Sequence, residues 1–320
     1  MFTKLYSKIM NNIRIEWIDI AKGMAIFLMV CGHTSIPENL SNWIWSFHMP
    51  LFFIVSGMLF YPERYNSFVA FEQKRCRTLL LPWLVFTLVA VFFYPEDSIN
   101  TLLSGQNLFA LWFLPVLFMV ETLGYYIVKL KLWGGKLLVA ISLATVGFIL
   151  DQYGIRTYFN LEVSLYATLF YIVGFLSRKT ILKINSQWYW IILLLLINII
   201  LSIFLPRTDM ASNKCGWYGV NAINAMIGSL SVFLMAKKIE TWNSKNILKR
   251  FLLWAGVNTI VILGLSQVVN LTMKKVMENL PIHSTLNSIS RHILLWLILW
   301  GVAYLINKYV PELIGKKRKY

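Results

Sequence analysis

The sequence predicts an all-α integral-membrane protein, a bundle of about ten transmembrane helices with both termini in the cytoplasm. Of its 320 residues, 58% are hydrophobic and only 14% are charged, and the mean hydropathy is +0.63. Apolar runs long enough to cross a bilayer recur along the whole chain, which excludes an ordinary soluble domain. The positive charges fall in alternate loops, and this bias indicates the orientation.

The predicted spans form one membrane domain, residues 17–308, between a cytoplasmic N-terminus, residues 1–16, and a basic tail, residues 309–320. The spans must be helical because lipid offers no hydrogen bonds to the backbone of an exposed strand or loop. The first span carries Asp19 and Lys22 and has no small-residue cleavage site after it, so we expect no removable signal peptide. The spans are residues 17–35, 43–61, 78–94, 109–129, 136–151, 161–177, 188–205, 217–236, 251–271 and 289–308.

The loop charges predict the orientation because lysine and arginine are retained in cytoplasmic loops. Gaps with few positive charges alternate with gaps rich in them, and an even number of spans then places both termini in the cytoplasm. We expect the tail from Lys316 to Lys319 to be a solvated or lipid-contacting end. The rich gaps contain Lys4, Lys8, Arg14, Arg64, Lys74, Arg75, Arg77, Lys129, Lys131, Arg178, Lys179, Lys183, Lys237, Lys238, Lys245, Lys249 and Arg250; the poor gaps contain Arg156, Arg207, Lys214, Lys274 and Lys275.

The first span is apolar except for Asp19, Lys22 and His33. Lys22 and His33 are eleven residues apart, which at ~100° per residue places them on one helix face, with a rise of roughly 16 Å between them. Ionisable residues at this depth are costly in lipid and usually mark a cavity or a site. The alternative is a lysine extending to the interface and a packed histidine. Asp19 is three residues from Lys22, so the two side chains are able to pair.

Two further ionisable residues inside the spans, His48 and Glu121, are candidates for the site. His48 lies in the outer half of the second span, across a short loop from His33, and the two histidines suit proton transfer. Alternatively, His48 bonds a carbonyl that is left free by Pro50. Glu121 lies inside the fourth span, where a carboxylate is expensive unless it faces a polar cavity.

The net charge of +16 does not indicate nucleic-acid binding, because the positive residues lie in the loops on one side. Cys31, Cys76 and Cys215 are far apart and match no metal-ligand spacing, so we expect no metal site and no disulfide framework. Cys31 is interpreted as a small packing residue rather than a nucleophile.

Several motifs occur in a distinctive order. The first is Trp17-Ile-Asp19-Ile-Ala-Lys22-Gly23 followed by His33, and the second is Phe47-His48-Met-Pro-Leu-Phe-Phe-Ile-Val-Ser-Gly57. The basic turn Lys74-Arg75-Cys76-Arg77 and the segment Leu111-Trp112-Phe-Leu-Pro115 follow. Together they resemble the acyltransferase 3 family of integral-membrane acyltransferases, and within it the shorter fucose 4-O-acetylase-like members. The resemblance spans almost the whole chain and is densest over residues 14–121.

The resemblance implies an O-acyltransferase that uses cytoplasmic acyl-CoA, usually acetyl-CoA, and a hydroxyl of a cell-envelope saccharide. It implies a multi-pass protein of the bacterial plasma membrane. A late segment resembles a family stretch that often ends in histidine, but here it ends in Ser266-Gln267, so no second histidine role is transferred. The candidate residues are His33, Asp19 and Glu121 for catalysis; Lys22, Lys74, Arg75 and Arg77 for the donor; and His48, Trp112, Asn258, Gln267 and Arg291 for the acceptor.

The expected mechanism keeps the CoA phosphates at the cytoplasmic cations and brings the thioester to His33, which acts as the base. A transient acyl-imidazole is the second route. Asn221 and Asn224 add polarity inside the membrane, either at the site or as hydrogen bonds between helices.

Two other classes of protein fit part of this pattern. A transporter or flippase of envelope glycans would also carry polar residues in its spans, but internal repeats and broken helices in matched positions are not evident. A membrane sensor without chemistry leaves His33, His48 and Glu121 unexplained. Expected partners are acyl-CoA, a saccharide and the bilayer, with no nucleic acid, and the sequence leaves open whether the protein forms a homo-oligomer.

Overall fold

The structure is a computed structural model that describes residues 14–34, 36–103, 108–277, 284–316 and 318. Its regular elements are helices, apart from one isolated bridge between Asp209 and Lys214. Lys4 and Lys8 of the predicted N-terminal segment, with residues 317, 319 and 320 of the tail, lie outside the described residues. The helices are α1 (Glu16–Gly32), α2 (Glu38–Leu59), α3 (Phe68–Phe93), α4 (Pro95–Leu103), α5 (Phe109–Ile127), α6 (Trp133–Gln152), α7 (Leu161–Lys183), α8 (Trp188–Phe204), α9 (Tyr218–Glu240), α10 (Ile247–Val257), α11 (Thr259–Met277) and α12 (Ser284–Tyr309).

Within the described residues, 7 helices are long and apolar enough to cross a membrane: α3, α5, α6, α7 with its preceding turn, α9, α11 and α12. The α1 and α8 helices each have 17 residues, and α2 has 22 but carries several polar side chains. Every predicted span therefore overlaps a helix, whereas the number of spans and the orientation of the termini stay predictions.

The structure corrects the predicted span 251–271, which is two helices rather than one. The α10 helix ends at Val257 and α11 begins at Thr259, with Asn258 between them. The Asn258 side-chain amide donates to the Trp254 carbonyl at 2.9 Å, and the Asn258 backbone N–H donates to the carbonyls of both Trp254 and Ala255. An asparagine side chain that bonds nearby backbone in this way competes with the helix, which an apolar pattern alone does not reveal.

The α1 helix lies at the centre of the bundle and is buried along most of its length. It packs against α2, α9, α10 and α11. Its contact with α10 is a backbone contact, because a Cβ added to Gly23 would overlap the Leu252 oxygen and one added to Gly256 would overlap the Asp19 oxygen. Small residues allow two membrane helices to approach in this way.

The α10 and α11 helices follow α1 from its beginning to its end. Near the beginning, the Lys249 ammonium lies 3.3 Å from a Glu16 carboxylate oxygen. At the end, the Asn270 side-chain amide donates to the His33 carbonyl at 3.2 Å. We call the region around the first turns of α1, which carry Glu16 and Lys22, the Lys22 end. We call the region around its last residue, next to His33, the His33 end.

The backbone contact predicts that Gly256→Ala lowers the thermal unfolding midpoint of the protein in detergent. The added methyl group would overlap the backbone oxygen of Asp19. Overpacking of this kind costs about 1–3 kcal/mol. Gly134→Ala is the matched control, since a Cβ there meets nothing within 4 Å. An unchanged midpoint in Gly256→Ala would show that α1 and α10 do not meet here.

Candidate functional site

His33 ends α1, and two neighbouring helices hold it in place. Its carbonyl accepts the hydrogen bond from Asn270 of α11. Its imidazole packs edge-on against the Trp45 indole of α2, with ring centroids 4.9 Å apart. Gln267, a predicted acceptor residue, lies one helical turn before Asn270 and shares its face of α11. The His33 end therefore joins residues from α1, α2 and α11.

His48 contacts the same indole, with its ring centroid 4.6 Å from that of Trp45. Its Nδ1 is 2.8 Å from the Ile44 carbonyl. Because a carbonyl oxygen only accepts, Nδ1 carries the hydrogen and Nε2 is left as an acceptor. His48 therefore bonds a backbone carbonyl, as the alternative interpretation expects, but this carbonyl belongs to Ile44. The carbonyl that loses its helical partner because of Pro50 belongs to Ser46.

Two buried polar atoms in this cluster have no hydrogen-bond partner: the Nε2 of His48 and the Nε1 of Trp45. One is an acceptor and the other is a donor, on two rings that are in contact. Buried polar groups in folded proteins are normally paired, and each exception requires an explanation. A hydroxyl both donates and accepts, so an incoming hydroxyl would satisfy either atom.

The loop between α8 and α9 supplies charge to the His33 end. The Arg207 guanidinium lies over the Trp45 ring, 5.4 Å from its centroid, and the Thr208 hydroxyl donates to the Trp45 carbonyl at 3.2 Å. Asp209 follows two residues after Arg207 in the same loop. The sequence did not single out Trp45, one of several aromatic residues of α2, or Asp209, which lies in a loop without periodicity; the signal available was Arg207, one of few positive residues on that side.

At the Lys22 end, the expected pair between Asp19 and Lys22 is present, with 2.6 Å between carboxylate and ammonium. Arg14 approaches the same carboxylate at 3.9 Å. Asn258, a predicted acceptor residue, lies here and not beside His33, since it follows the α1 contact at Gly256. Its side-chain oxygen accepts from the Asn307 amide of α12 at 2.8 Å.

Arg75 and Glu121 form a buried ion pair between α3 and α5, with 2.8 Å between Nε and Oε2. The Ser56 hydroxyl donates to the other Glu121 oxygen at 2.9 Å. Ser56 is eight residues beyond His48 on α2, a rise of about 12 Å away from the His33 end. The structure thus joins a predicted donor residue to a predicted catalytic residue and places both apart from His33.

The remaining donor residues, Lys74 and Arg77, are exposed on either side of Arg75. They occupy the place where α3 passes from α-helix into a π-helical turn, Cys76–Leu80. Lys74 lies over the Tyr65 ring, 5.2 Å from its centroid. The side chains of Lys74 and Arg77 are exposed, whereas Arg75 is paired with Glu121.

Two predicted acceptor residues have different surroundings. Trp112 is buried in the apolar core next to Phe113, whose ring contacts Phe52 and Phe53 of α2. Arg291 of α12 precedes His292, whose Nε2 is 3.7 Å from the sulfur of Cys31, two residues before His33. Arg291 is therefore close to the His33 end.

Asn221 and Asn224 of α9 serve mainly to join helices. Asn224 accepts from the Asn198 amide at 2.8 Å, and Asn198 in turn accepts from the Trp43 indole at 2.8 Å. The Asn221 amide donates to the Pro206 carbonyl at 2.9 Å. Among the described residues, no group of three His, Cys, Asp or Glu side chains is placed to hold a metal ion.

Comparison with known proteins identifies one match. The family model for the acyltransferase domain of the acyltransferase 3 family covers residues 15–307. Neither the curated proteins nor the solved structures contain a match to the chain. The matched range contains α1 to α11 and nearly all of α12, so it includes both ends of the candidate site.

The ion pair predicts that Glu121→Leu strongly destabilises the protein, because it leaves the Arg75 guanidinium in a buried place without its partner. Breaking a buried pair costs about 3–5 kcal/mol, whereas replacing both partners by apolar groups is often neutral. The double variant Arg75→Met, Glu121→Leu should therefore unfold at a higher temperature than Glu121→Leu alone. A single variant as stable as the native protein would refute a structural role for the pair.

Proposed function

Because this chain belongs to the acyltransferase 3 family, we propose that it is a membrane O-acyltransferase that acetylates a hydroxyl of a cell-envelope saccharide, using acetyl-CoA. The family makes it an acyltransferase with several apolar membrane helices; the donor, the acceptor and the fucose 4-O-acetylase-like subtype are our proposals. We place it in the bacterial plasma membrane, with the Lys22 end in the cytoplasm.

The observation that supports this proposal most is that α1 carries both halves of the site. Cations gather at its start, where Lys22 and Arg14 share Asp19, and an imidazole with unpaired polar neighbours ends it. The ends are separated by roughly 16 Å of helix, which an extended pantetheine arm suits. Phosphate groups favour the first end, and a polyhydroxyl acceptor favours the second.

In the proposed reaction, His33 takes the proton of the acceptor hydroxyl as its oxygen attacks the thioester carbonyl. The carbon–sulfur bond then breaks, the ester remains on the saccharide, and the CoA thiolate takes the proton from the imidazolium. General-base catalysis of this kind contributes about 10²–10⁴-fold in rate. Transfer through an acyl-imidazole on His33 is the second route, with the same overall balance.

The unpaired atoms of Trp45 and His48 are proposed to bind acceptor hydroxyl groups. A sugar hydroxyl donates to the His48 Nε2 while its oxygen accepts from the Trp45 indole N–H. Arg207, Asp209 and Gln267 add polar groups around this position, and Arg291 lies near its rim. Glu121 is proposed to hold Arg75 in place rather than to touch the acceptor, since the carboxylate is already committed to that ion pair.

His33→Ala should abolish acetyl transfer from radiolabelled acetyl-CoA, a loss of about 10²-fold or more, because the base is removed. The thermal midpoint and the elution volume of the purified protein should stay close to those of the native protein. A His33→Ala variant that transfers acetyl groups at the native rate would remove His33 from the mechanism. A native protein that moves a glycan across liposomes without consuming acetyl-CoA would favour a transporter.

Trp45→Phe should raise KM for a fucoside acceptor about 2- to 12-fold, because it removes one hydrogen-bond donor worth about 0.5–1.5 kcal/mol and keeps an aromatic ring. Trp43→Phe is the matched control: its indole N–H bonds Asn198 between helices, so its loss should lower the unfolding midpoint and leave acceptor KM unchanged. Equal acceptor KM in Trp45→Phe and the native protein would contradict hydroxyl binding at this position.

A further inference from the structure

The chain after α12 folds back against the Lys22 end instead of leaving the bundle. Residues Pro311–Ile314 form a 3₁₀ turn in which Pro311 and Ile314 are buried. Gly315 follows with φ +71, and a Cβ there would lie 2.6 Å from the Arg77 carbonyl oxygen. This turn therefore anchors the tail to α3, and Lys316 is partly buried at a defined place beside it.

The ammonium of Lys316 is held at the foot of three helices. It donates to the Asn307 side-chain oxygen of α12 at 2.5 Å. The Asn307 amide donates to the Asn258 side-chain oxygen at 2.8 Å. Asn258 closes α10 two residues after Gly256, which rests on the backbone of Asp19. A continuous set of contacts thus leads from the tail to the start of α1.

Arg14, Lys22, Lys316 and the carboxylate of Asp19 form one charged group at the Lys22 end, beside the separate pair of Lys249 and Glu16. Asp19 pairs with Lys22 at 2.6 Å and with Arg14 at 3.9 Å, so it is already engaged by two positive groups. Burial, and then the positive charges of Arg14 and Lys22, lower the pKa of Lys316. The formal charge of the group is +2 when all four residues are ionised. Converging like charges oppose folding, unless an anion binds among them.

We infer that Lys316, with Arg14 and Lys22, forms a binding site for the phosphate groups of the donor, so that the tail supplies a donor-binding residue. This inference rests on the proposed function. Three cations held near a single carboxylate leave an excess of positive charge, which a doubly charged phosphate ester or diphosphate would balance. A CoA donor carries both a diphosphate and a 3′-phosphate, whereas an anionic lipid carries one phosphodiester charge.

The test compares Lys316→Met with Lys308→Met in the full-length protein in detergent. Lys308 is an exposed lysine of α12 beside Tyr304 and Tyr309, outside the site, and serves as the matched control. Lys316→Met should weaken CoA binding, measured by calorimetry, about tenfold or more, as expected for losing a hydrogen bond to a charged group. It should raise KM for acetyl-CoA more than it lowers kcat. Lys316→Arg should restore most of the affinity.

A thermal-shift measurement separates removal of repulsion from loss of binding. Without ligand, Lys316→Met should unfold at the same temperature as the native protein or higher, because one of three like charges is gone. Pyrophosphate should raise the unfolding midpoint of the native protein and of Lys308→Met, and raise it less in Lys316→Met. A lower midpoint for unliganded Lys316→Met, with normal CoA affinity, would mean that Lys316 is structural and would overturn the inference.

Two further outcomes distinguish this inference from the function on which it rests. If the native protein binds CoA and Lys316→Met binds it equally, the inference fails and the proposed function stands. If the native protein binds pyrophosphate through Lys316 but neither binds nor consumes acetyl-CoA, the proposed function fails. Loss of stabilisation by phosphatidylglycerol nanodiscs alone, with CoA affinity retained, would assign Lys316 to a lipid and overturn the inference.

Discussion

The arrangement of the site depends on the backbone contact between α1 and α10. Gly23 and Gly256 remove the side chains that would separate the two helices, so the Asp19 backbone rests against α10. This contact sets the position of Lys22 relative to Asn258 and, through Asn307, relative to the C-terminal tail. Side chains pack at native density only when their backbones are fixed, and a shift at this point would move every cation at the Lys22 end.

The two ends of the site differ in how their polar groups are satisfied. At the Lys22 end the charges are paired or shared, and the excess is positive. At the His33 end, the His48 and Trp45 rings keep one acceptor and one donor atom unpaired inside an otherwise packed cluster. Apolar side chains would make the folded state more stable at this position, because a buried polar atom without a partner costs about 1–3 kcal/mol. That cost is consistent with a place reserved for a polar ligand.

Helical periodicity was enough to predict the pairing of Asp19 with Lys22, because that contact lies within one helix. Periodicity does not predict contacts between segments that are distant in the sequence. The pairing of Arg75 with Glu121 joins helices that are far apart in sequence, so the two residues were assigned separate roles. Arg207 lies over Trp45 from a loop, and Lys316 bonds Asn307 from a tail expected to be solvated or to contact lipid. The break at Asn258 depends on one side-chain hydrogen bond inside an apolar run.

The break at Asn258 also has a mechanical consequence. The α10 helix ends there, and α11 begins as a separate helix at Thr259. A rigid-body tilt of α11 about Asn258 would move Asn270, and with it the support of the His33 carbonyl, while the glycine contact of α10 with α1 stays closed. Release of a bulky product past α11 would then leave the contact between α10 and α1 at the Lys22 end unchanged.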